Sequence, residues 1–487
     1  MSAAASLLVR SKLAEMKGLS VLSRQDVRPD VATLELTRLS SAKGPTRVTL
    51  GKYARSQRLI EVNVAGGAKT TLSLRAIDLR EGGREKTFSV TLTPETLQTE
   101  VARLTIECAK FLGQEPSAPE RTRMTRKAFA NPQALRAAAE GAAAADASAA
   151  VASLTRAIGL DPSSSLGWYL MARRQHEAGK LPAAITAYRR AISLDGDATD
   201  FHYDLGNAFF DDKRYAEAAE EYRRAIALDA HHAASHENLV RALRAQGLKP
   251  AEVLAKYDEA TASCGDVAVT QTQRGVLLNA MGKAGEALSA FRKSVALSPD
   301  DPIAHFNLAH ALDGQKRTDE AIGEYTRAID LAPNYAKAHN NLGFLYERQG
   351  KEGTALFHFQ QATKFAPDYA RGWNNLAILY GKRHRLPLAI DAYEHVVKLT
   401  PDDPIAYYNL GIAHHENGDI AAAIDAYKKA LSLKEDDKLT HWHLAAAYER
   451  SGLWNLANRH WKRVLELEPT EEERGTAERH VRENEKR

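Results

Sequence analysis

Cysteine is nearly absent from this chain. Cys108 and Cys264 stand alone, without the C-x-x-C spacing or flanking histidines that would bind zinc. They read as small buried thiols and say nothing about redox compartment. Long apolar runs are missing as well: no stretch approaches the roughly 18 residues of a membrane span, so no direct membrane role is expected. Met1 to Lys12 holds only the short apolar segment Ala3 to Val9, with no basic residue before it and no small-residue cleavage site after it. No signal peptide is expected on that pattern. A genuine start implies a cytoplasmic protein, and a truncated one leaves the periplasm or envelope open. No G-x-G-x-x-G or GKS/T phosphate loop occurs, and Gly66-Gly67 and Gly82-Gly83 read as turn glycines.

Histidine is missing from one region only. All 17 histidines lie beyond residue 130. Residues 1–130 carry 22 Lys+Arg against 13 Asp+Glu, a balance of +9, and the remainder carries 44 against 49, a balance of −5. The net charge of +4 is their sum. The divisions expected are a small α+β domain over 1–113, a linker over 114–130, helical repeats over 131–471 and a polar capping helix over 472–487.

What the second region has is a period. An aromatic residue followed three positions later by a small or β-branched one recurs at Tyr188, Tyr222, Tyr257, Phe291, Tyr325, Phe359, Tyr393, Tyr427 and Trp461. The step is 34 residues, apart from one residue inserted between Leu248 and Val253. A small residue precedes each aromatic by four, as in Ala184, Ala218, Ala321 and Ala389, and a second small column runs through Gly206, Gly275, Ala309, Gly343, Ala377 and Gly411. Gly179, Gly247, Gly282, Gly350, Gly418 and Gly452 mark a break inside each unit, and Pro299, Pro333, Pro367, Pro401 and Pro469 mark its end. Each unit therefore holds two amphipathic stretches of about a dozen residues, and stacking buries what one unit cannot.

Trp373, Leu376, Ala377, Tyr380, Ala389, Tyr393 and Pro401 together resemble the tetratricopeptide repeat pattern. Nine units fit 165–471, and a weaker Ala-rich unit without the aromatic fits 131–164. The resemblance implies a mostly α fold: a right-handed α-α superhelix, here preceded by the small α+β domain. It also implies a protein or peptide partner on the concave face, which the first helix of each unit lines. One position of that helix reads Asp204, Asn238, Gln273, Asn307, Asn341, Asn375, Asn409 and His443. Asparagine donates and accepts, so a row of them can grip the backbone of an extended peptide without reading its side chains. Similar asparagine ladders occur in the repeat domain of protein O-linked N-acetylglucosamine transferases. The flanking Phe306, Asn340, Asn374, Tyr408 and Trp442 suggest side-chain pockets, with Tyr169 and Tyr203 at the same position upstream. The asparagines are expected to face solvent until a partner arrives.

A neighbouring column, His202, His236, His305, His339 and His441, is interleaved with Trp168, Trp373 and Tyr407. One histidine per repeat, about 10 Å from the next, cannot share a metal bound at about 2 Å. These histidines read as flat packing residues in place of the consensus tryptophan, and no metal or cofactor is expected.

In the front region, Arg58 to Val64, Thr70 to Leu79 and Lys86 to Leu92 read as strands around the Gly-Gly turns. Thr93 to Leu112 reads as a helix, and Leu19 to Ser23 as a further strand. The run 18–26, Gly51-Lys52-Tyr53-Ala54 and the hairpin around Leu74 to Arg80 resemble the amino-terminal domain of TolB and FlgO-like envelope proteins. The chain starts inside the helix that the family's first strand precedes.

The function expected is a non-catalytic interaction scaffold. The alternatives weighed are a repeat-bearing subunit of a glycosyltransferase or of a secretion or envelope assembly, and nucleic-acid contact through the basic front domain. About sixteen residues after the last repeat are too few for a nucleotide-sugar domain. A surplus of nine charges without a known motif argues against nucleic acid.

Overall fold

The structure, a computed structural model, describes residues 46–50, 58–65, 70–78, 84–93, 96–111 and 118–487. The expected strand at 19–23, the helix before it and both Gly-Gly turns fall outside these residues. The chain divides into two compact units, residues 1–300 and 301–487.

The first unit opens with a four-stranded antiparallel meander in sequence order: β1 Thr46–Leu50, β2 Arg58–Ala65, β3 Thr70–Asp78 and β4 Arg84–Leu92. Leu72 lies opposite Val90, and Leu74 opposite Phe88. Alternation sends Leu72, Leu74, Ala76, Phe88 and Leu92 to the buried face and leaves Thr87, Ser89 and Thr91 exposed. Helix α1, Leu97–Phe111, covers that face with Leu97, Val101, Leu104 and Cys108, and Phe111 meets Phe88 edge-on at 6.3 Å. Cys108 is fully buried, which pushes its thiol up to about 12, whereas Cys264 is only half-buried.

A short helix, α2 Ala118–Thr125, lies inside the stretch expected as linker, with Met124 buried against Ala109 and Ile106. The side chain of Gln98 on α1 then ties down the segment beyond it. Its Oε1 accepts from the Ala128 and Phe129 amides at 2.8 and 3.2 Å, and its Nε2 donates to the Phe129 carbonyl at 2.7 Å. Phe129 is 1% exposed, and one apolar core runs from the sheet through it into the repeats.

Helical hairpins follow. In the first unit they are α3 Pro132–Ala143 with α4 Ala147–Leu160, α5 Ser165–Glu177 with α6 Leu181–Leu194, and α7 Thr199–Asp211 with α8 Tyr215–Leu228. Then come α9 Ala233–Ala245 with α10 Pro250–Thr261, and α11 Ala268–Ala280 with α12 Ala284–Leu297. The second unit continues with α13 Pro302–Gly314 and α14 Thr318–Leu331, then α15 Ala336–Arg348 and α16 Glu352–Phe365. It ends with α17 Ala370–Lys382 and α18 Leu386–Leu399, α19 Pro404–Asn417 and α20 Ile420–Leu433, α21 Lys438–Arg450 and α22 Trp454–Glu466, and the closing helix α23 Glu471–Asn484. The architecture is a tetratricopeptide-type solenoid of ten hairpins among the described residues, including the Ala-rich one at its start.

Local chemistry sets these boundaries. Several first helices open on a capping acid or hydroxyl: Asp146, Ser164, Asp301, Asp403 and Asp437 accept from backbone amides two or three residues on, with Asp146 doing so for a second helix. Pro132, Pro302 and Pro404 sit in the first turn, where no amide is missed. Six predicted glycines do take positive φ at the break inside the hairpin; at three other breaks Lys213, Lys316 and His384 hold φ of 60, 61 and 52°. Inside four hairpins the aromatic packs directly on a glycine of the small column: Tyr222 on Gly206, Phe291 on Gly275, Phe359 on Gly343 and Tyr427 on Gly411. A Cβ on Gly411 would come within 2.5 Å of the Tyr427 ring, and one on Gly275 within 2.5 Å of Phe291. Helix α23 closes the stack through Ala477 and Val481, begun by a capping box between Thr470 and Glu473.

Candidate functional site

Within each unit, first helices line one face, with α3 against α5, α5 against α7 and α9 against α11 in residues 1–300, and α15 against α17 and α19 against α21 in residues 301–487. On that face a residue of the asparagine column meets the residue one position earlier on the preceding repeat, 35 residues back. In residues 1–300, Tyr169 Oη donates to Asp204 Oδ2 at 2.7 Å, and Asn238 Nδ2 donates to Tyr203 Oη at 3.3 Å. Asn238 also donates to Asn207 Oδ1 at 3.0 Å, which accepts from Tyr222 Oη at 2.8 Å. Asp204 is the acid in this column. Burial raises its pKa against the pull of Arg173, and Asp200 nearby is pushed up to about 7 by burial and by the Asp204 charge.

In residues 301–487 the same geometry is carried by amides. Asn375 Nδ2 donates to Asn340 Oδ1 at 2.9 Å, and Asn340 Nδ2 donates to Asn341 Oδ1 at 3.3 Å. Asn341 Nδ2 donates in turn to the hydroxyl of Tyr325, the aromatic of the preceding hairpin, at 3.0 Å. Asn307 donates to the Ile303 carbonyl of its own helix at 3.0 Å. Asn340 is 2% exposed, while Asn307, Asn341, Asn374, Asn375 and Asn409 are half-buried. These amides are thus partly engaged within the protein, because the column packs against the preceding repeat rather than standing clear in solvent. Phe306 packs between Tyr325 and Tyr335 at 5.6 and 5.0 Å, Tyr408 meets His443 at 5.6 Å, and Trp442 meets Trp461 edge-on at 4.8 Å.

The histidine column has the tryptophan's job. Trp168 and Trp373 each donate Nε1–H to the carbonyl six residues back, at 3.0 and 2.8 Å. His202, His236, His339 and His441 place Nε2 against the equivalent carbonyls of Gly196, Ala230, Pro333 and Glu435 at 3.1, 3.0, 3.0 and 2.9 Å. Their Nδ1 atoms reach the second helix. Glu221 serves His202 at 2.7 Å, Tyr257 Oη serves His236 at 2.6 Å, and Glu324 serves His305 at 2.5 Å. His358 faces His339 at 3.0 Å, and His460 faces His441 at 2.8 Å. Glu221, Glu324, His358 and His460 all lie 19 residues beyond the column, a spacing that could have disclosed the pairing.

Stacked hairpins with an open face of amides and aromatics define a helical-repeat interaction scaffold. The tetratricopeptide repeat family matches residues 135–200, 169–233, 203–268, 314–350, 336–369 and 374–438. The chain belongs to that family, whose repeats serve protein–protein interaction and are typically non-catalytic. No curated protein matches it. Among solved structures it is similar to MamA from Desulfovibrio magneticus RS-1, at 23% identity over 34% of this chain and 94% of that one, TM-score 0.32. Pseudomonas aeruginosa PilF gives 17% identity over 42% and 94%, TM-score 0.38. The APC/C hetero-tetramer Cut9–Hcn1 gives 18% over 80% and 95%, TM-score 0.35.

Proposed function

We propose that this scaffold grips an extended segment of a partner protein along the face lined by its first helices. The observation that carries the reading is the column Asn307, Asn341, Asn375 and Asn409, which recurs at one first-helix position and stays half-exposed. A carboxamide offers two donors and an acceptor with two lone pairs. Asn341 and Asn375 each spend one N–H on a neighbouring side chain, which holds the amide in one orientation and leaves its other N–H available. Asn238 continues the column in residues 1–300, and Phe306, Asn340, Asn374, Tyr408 and Trp442 border it. The divisions at 1–113, 114–130, 131–471 and 472–487 belong to this proposal, with binding assigned to the repeats.

A peptide-display selection against the full chain tests it. Peptides retained by the wild type are expected to lose about tenfold in affinity to Asn307→Ala/Asn409→Ala, a pair that breaks no bond between repeats. The quadruple alanine variant should retain none. Undiminished binding by the double variant, with its melting curve unchanged, would move the partner off this face.

A further inference from the structure

A cavity opens on the first-helix face of residues 301–487, between α17 and α19. Ile378, Lys382, Leu386, Tyr393, Asn409 and Glu416 line it. Gly381 also belongs to the lining, and a Cβ there would meet nothing within 4 Å.

The polar groups in this cavity differ from their counterparts one or two repeats earlier. Among the five candidate asparagines of the column, four donate to protein acceptors, and Asn409 alone makes no hydrogen bond among the described residues. The Tyr325 hydroxyl is taken by Asn341, whereas that of Tyr393 has no such donor. Lys382, the cation of the lining, is already held by Glu347 at 2.6 Å. Arg450, on the next first helix, donates to the His415 carbonyl at 3.3 Å. Glu416 is exposed and enters no ion pair among the described residues. Its charge is felt inside the cavity: burial first, and then Glu416, push the Tyr393 hydroxyl up to about 12.

A further free group lies one repeat on. The hydroxyl of Tyr427, a fully buried residue, has no hydrogen-bond partner among the described residues, because Ile412 and His443 stand where Asn207 and Asn341 serve Tyr222 and Tyr325. This end of the face is short of partners for its own polar groups.

We infer that the cavity is the pocket for a lysine or arginine side chain of the extended segment, with Glu416 as its counter-charge. The inference rests on the groove reading above. The aliphatic stem lies along Ile378 and Leu386, the charged head meets the unpaired carboxylate, and the flanking backbone is held by Asn409. A long basic side chain suits such a place because its stem is apolar and its head is not. A charge-assisted hydrogen bond to the carboxylate adds to the contact. An acidic side chain would face the Glu416 charge, with Lys382 already paired to Glu347.

Arrays of random-sequence peptides about twelve residues long, fixed at one position as Lys, Arg, norleucine or Glu, are probed with the full purified chain. The wild type should prefer Lys and Arg over norleucine by about tenfold. Glu416→Gln should erase that preference while retaining peptide binding, and Glu416→Lys should turn it towards Glu. Gly381→Met, which plugs the mouth without displacing backbone, should lower all retention with an unchanged melting curve. Peptides bound through the asparagines without a basic preference, or a preference that survives Glu416→Gln, would overturn the pocket and leave the groove. A wild type that retains no peptide overturns both.

Discussion

His441 and His460 face one another Nδ1 to Nδ1 at 2.8 Å. Because His441 Nε2 donates to the Glu435 carbonyl, its Nδ1 accepts, and the proton between the rings belongs to His460. His339 and His358 repeat the arrangement three repeats earlier, with Pro333 as the carbonyl. A second proton would remove the accepting lone pair and set two cations in contact. Tyr448 stacks on His460 and Tyr346 on His358, both at 5.6 Å, so neither ring can turn away freely.

This geometry predicts acid lability of residues 301–487. Burial lowers all four histidines. His358 and His460 fall to about 4, with the partner histidine as the next cause, and Arg459 and Lys428 add to it at His460. Arg463 opposes protonation of His441, while Asp436 and Asp437 favour it. Below the unfolded value of 6.5 the unfolded chain binds protons that the folded chain refuses, so stability is full above that pH and falls as pH drops towards 4. Tm should fall by several degrees between pH 7.5 and 5. His358→Glu/His460→Glu, which copies the His202–Glu221 pair, should flatten the decline. A wild-type Tm constant over that range would refute the shared-proton geometry.

Close packing of ring on glycine gives a second expectation. A Cβ at Gly411 lands 2.5 Å from Cε1 of Tyr427, and that ring is fully buried. Gly411→Ala should cost about 1–3 kcal/mol in urea unfolding. Gly381→Ala, on a first helix with open space around it, should be neutral or stabilise by up to about 1 kcal/mol. Equal effects at the two sites would contradict the packing.

The columns were legible because helix-to-helix contact imposes them: the ring of Tyr427 packs on Gly411, and a small residue recurs at that position about every 34 residues, as in Ala309, Gly343 and Ala377. The turns held by Lys213, Lys316 and His384 were not, since closure of the hairpin sets their left-handed backbone whatever the side chain. Nor were the amide bonds. A period of 34 marks equivalent positions, but Asn375 touches Asn340, 35 residues away, and only the stacking of repeats brings those two together. The row of asparagines was therefore read from sequence, and its engagement with Tyr325 and Asn340 was not.

The Gln98 clip predicts how residues 114–130 respond to protease. Its carboxamide satisfies two amides and one carbonyl of Ala128 and Phe129, and Phe129 is buried in the core that the sheet shares with the repeats. Lys127, next to the clip, is exposed. Gln98→Ala should leave those groups without their partner and speed tryptic cleavage at Arg126 or Lys127 several-fold. The repeat fragment released should remain helical, as the proposed division at residue 131 requires. An unchanged cleavage rate would show that the burial of Phe129, with the bonds from Ser164 Oγ to the Ala128 carbonyl and from the Ala130 amide to Asp161, holds the segment without the clip.

The tyrosine hydroxyls allow the sharpest comparison, because one substitution removes the same atom from different surroundings. Tyr222 Oη donates to Asn207 Oδ1 at 2.8 Å, and Asn207 also accepts from Asn238, so the hydroxyl is part of a chain joining two repeats. Tyr222→Phe should therefore cost about 0.5–1.5 kcal/mol, the net value of a hydrogen bond in a folded protein. Tyr427 occupies the same column with the same burial, yet its hydroxyl has no partner among the described residues. Removing a buried, unsatisfied hydroxyl relieves a desolvation cost of about 1–3 kcal/mol, so Tyr427→Phe should be neutral or stabilising. The rings stay, so packing on Gly206 and Gly411 is common to both variants and cancels in the comparison. Denaturant unfolding of the two variants against wild type gives the sign directly. A loss at Tyr427 as large as that at Tyr222 would mean that its hydroxyl is satisfied in solution, and the free group next to the proposed pocket would be gone.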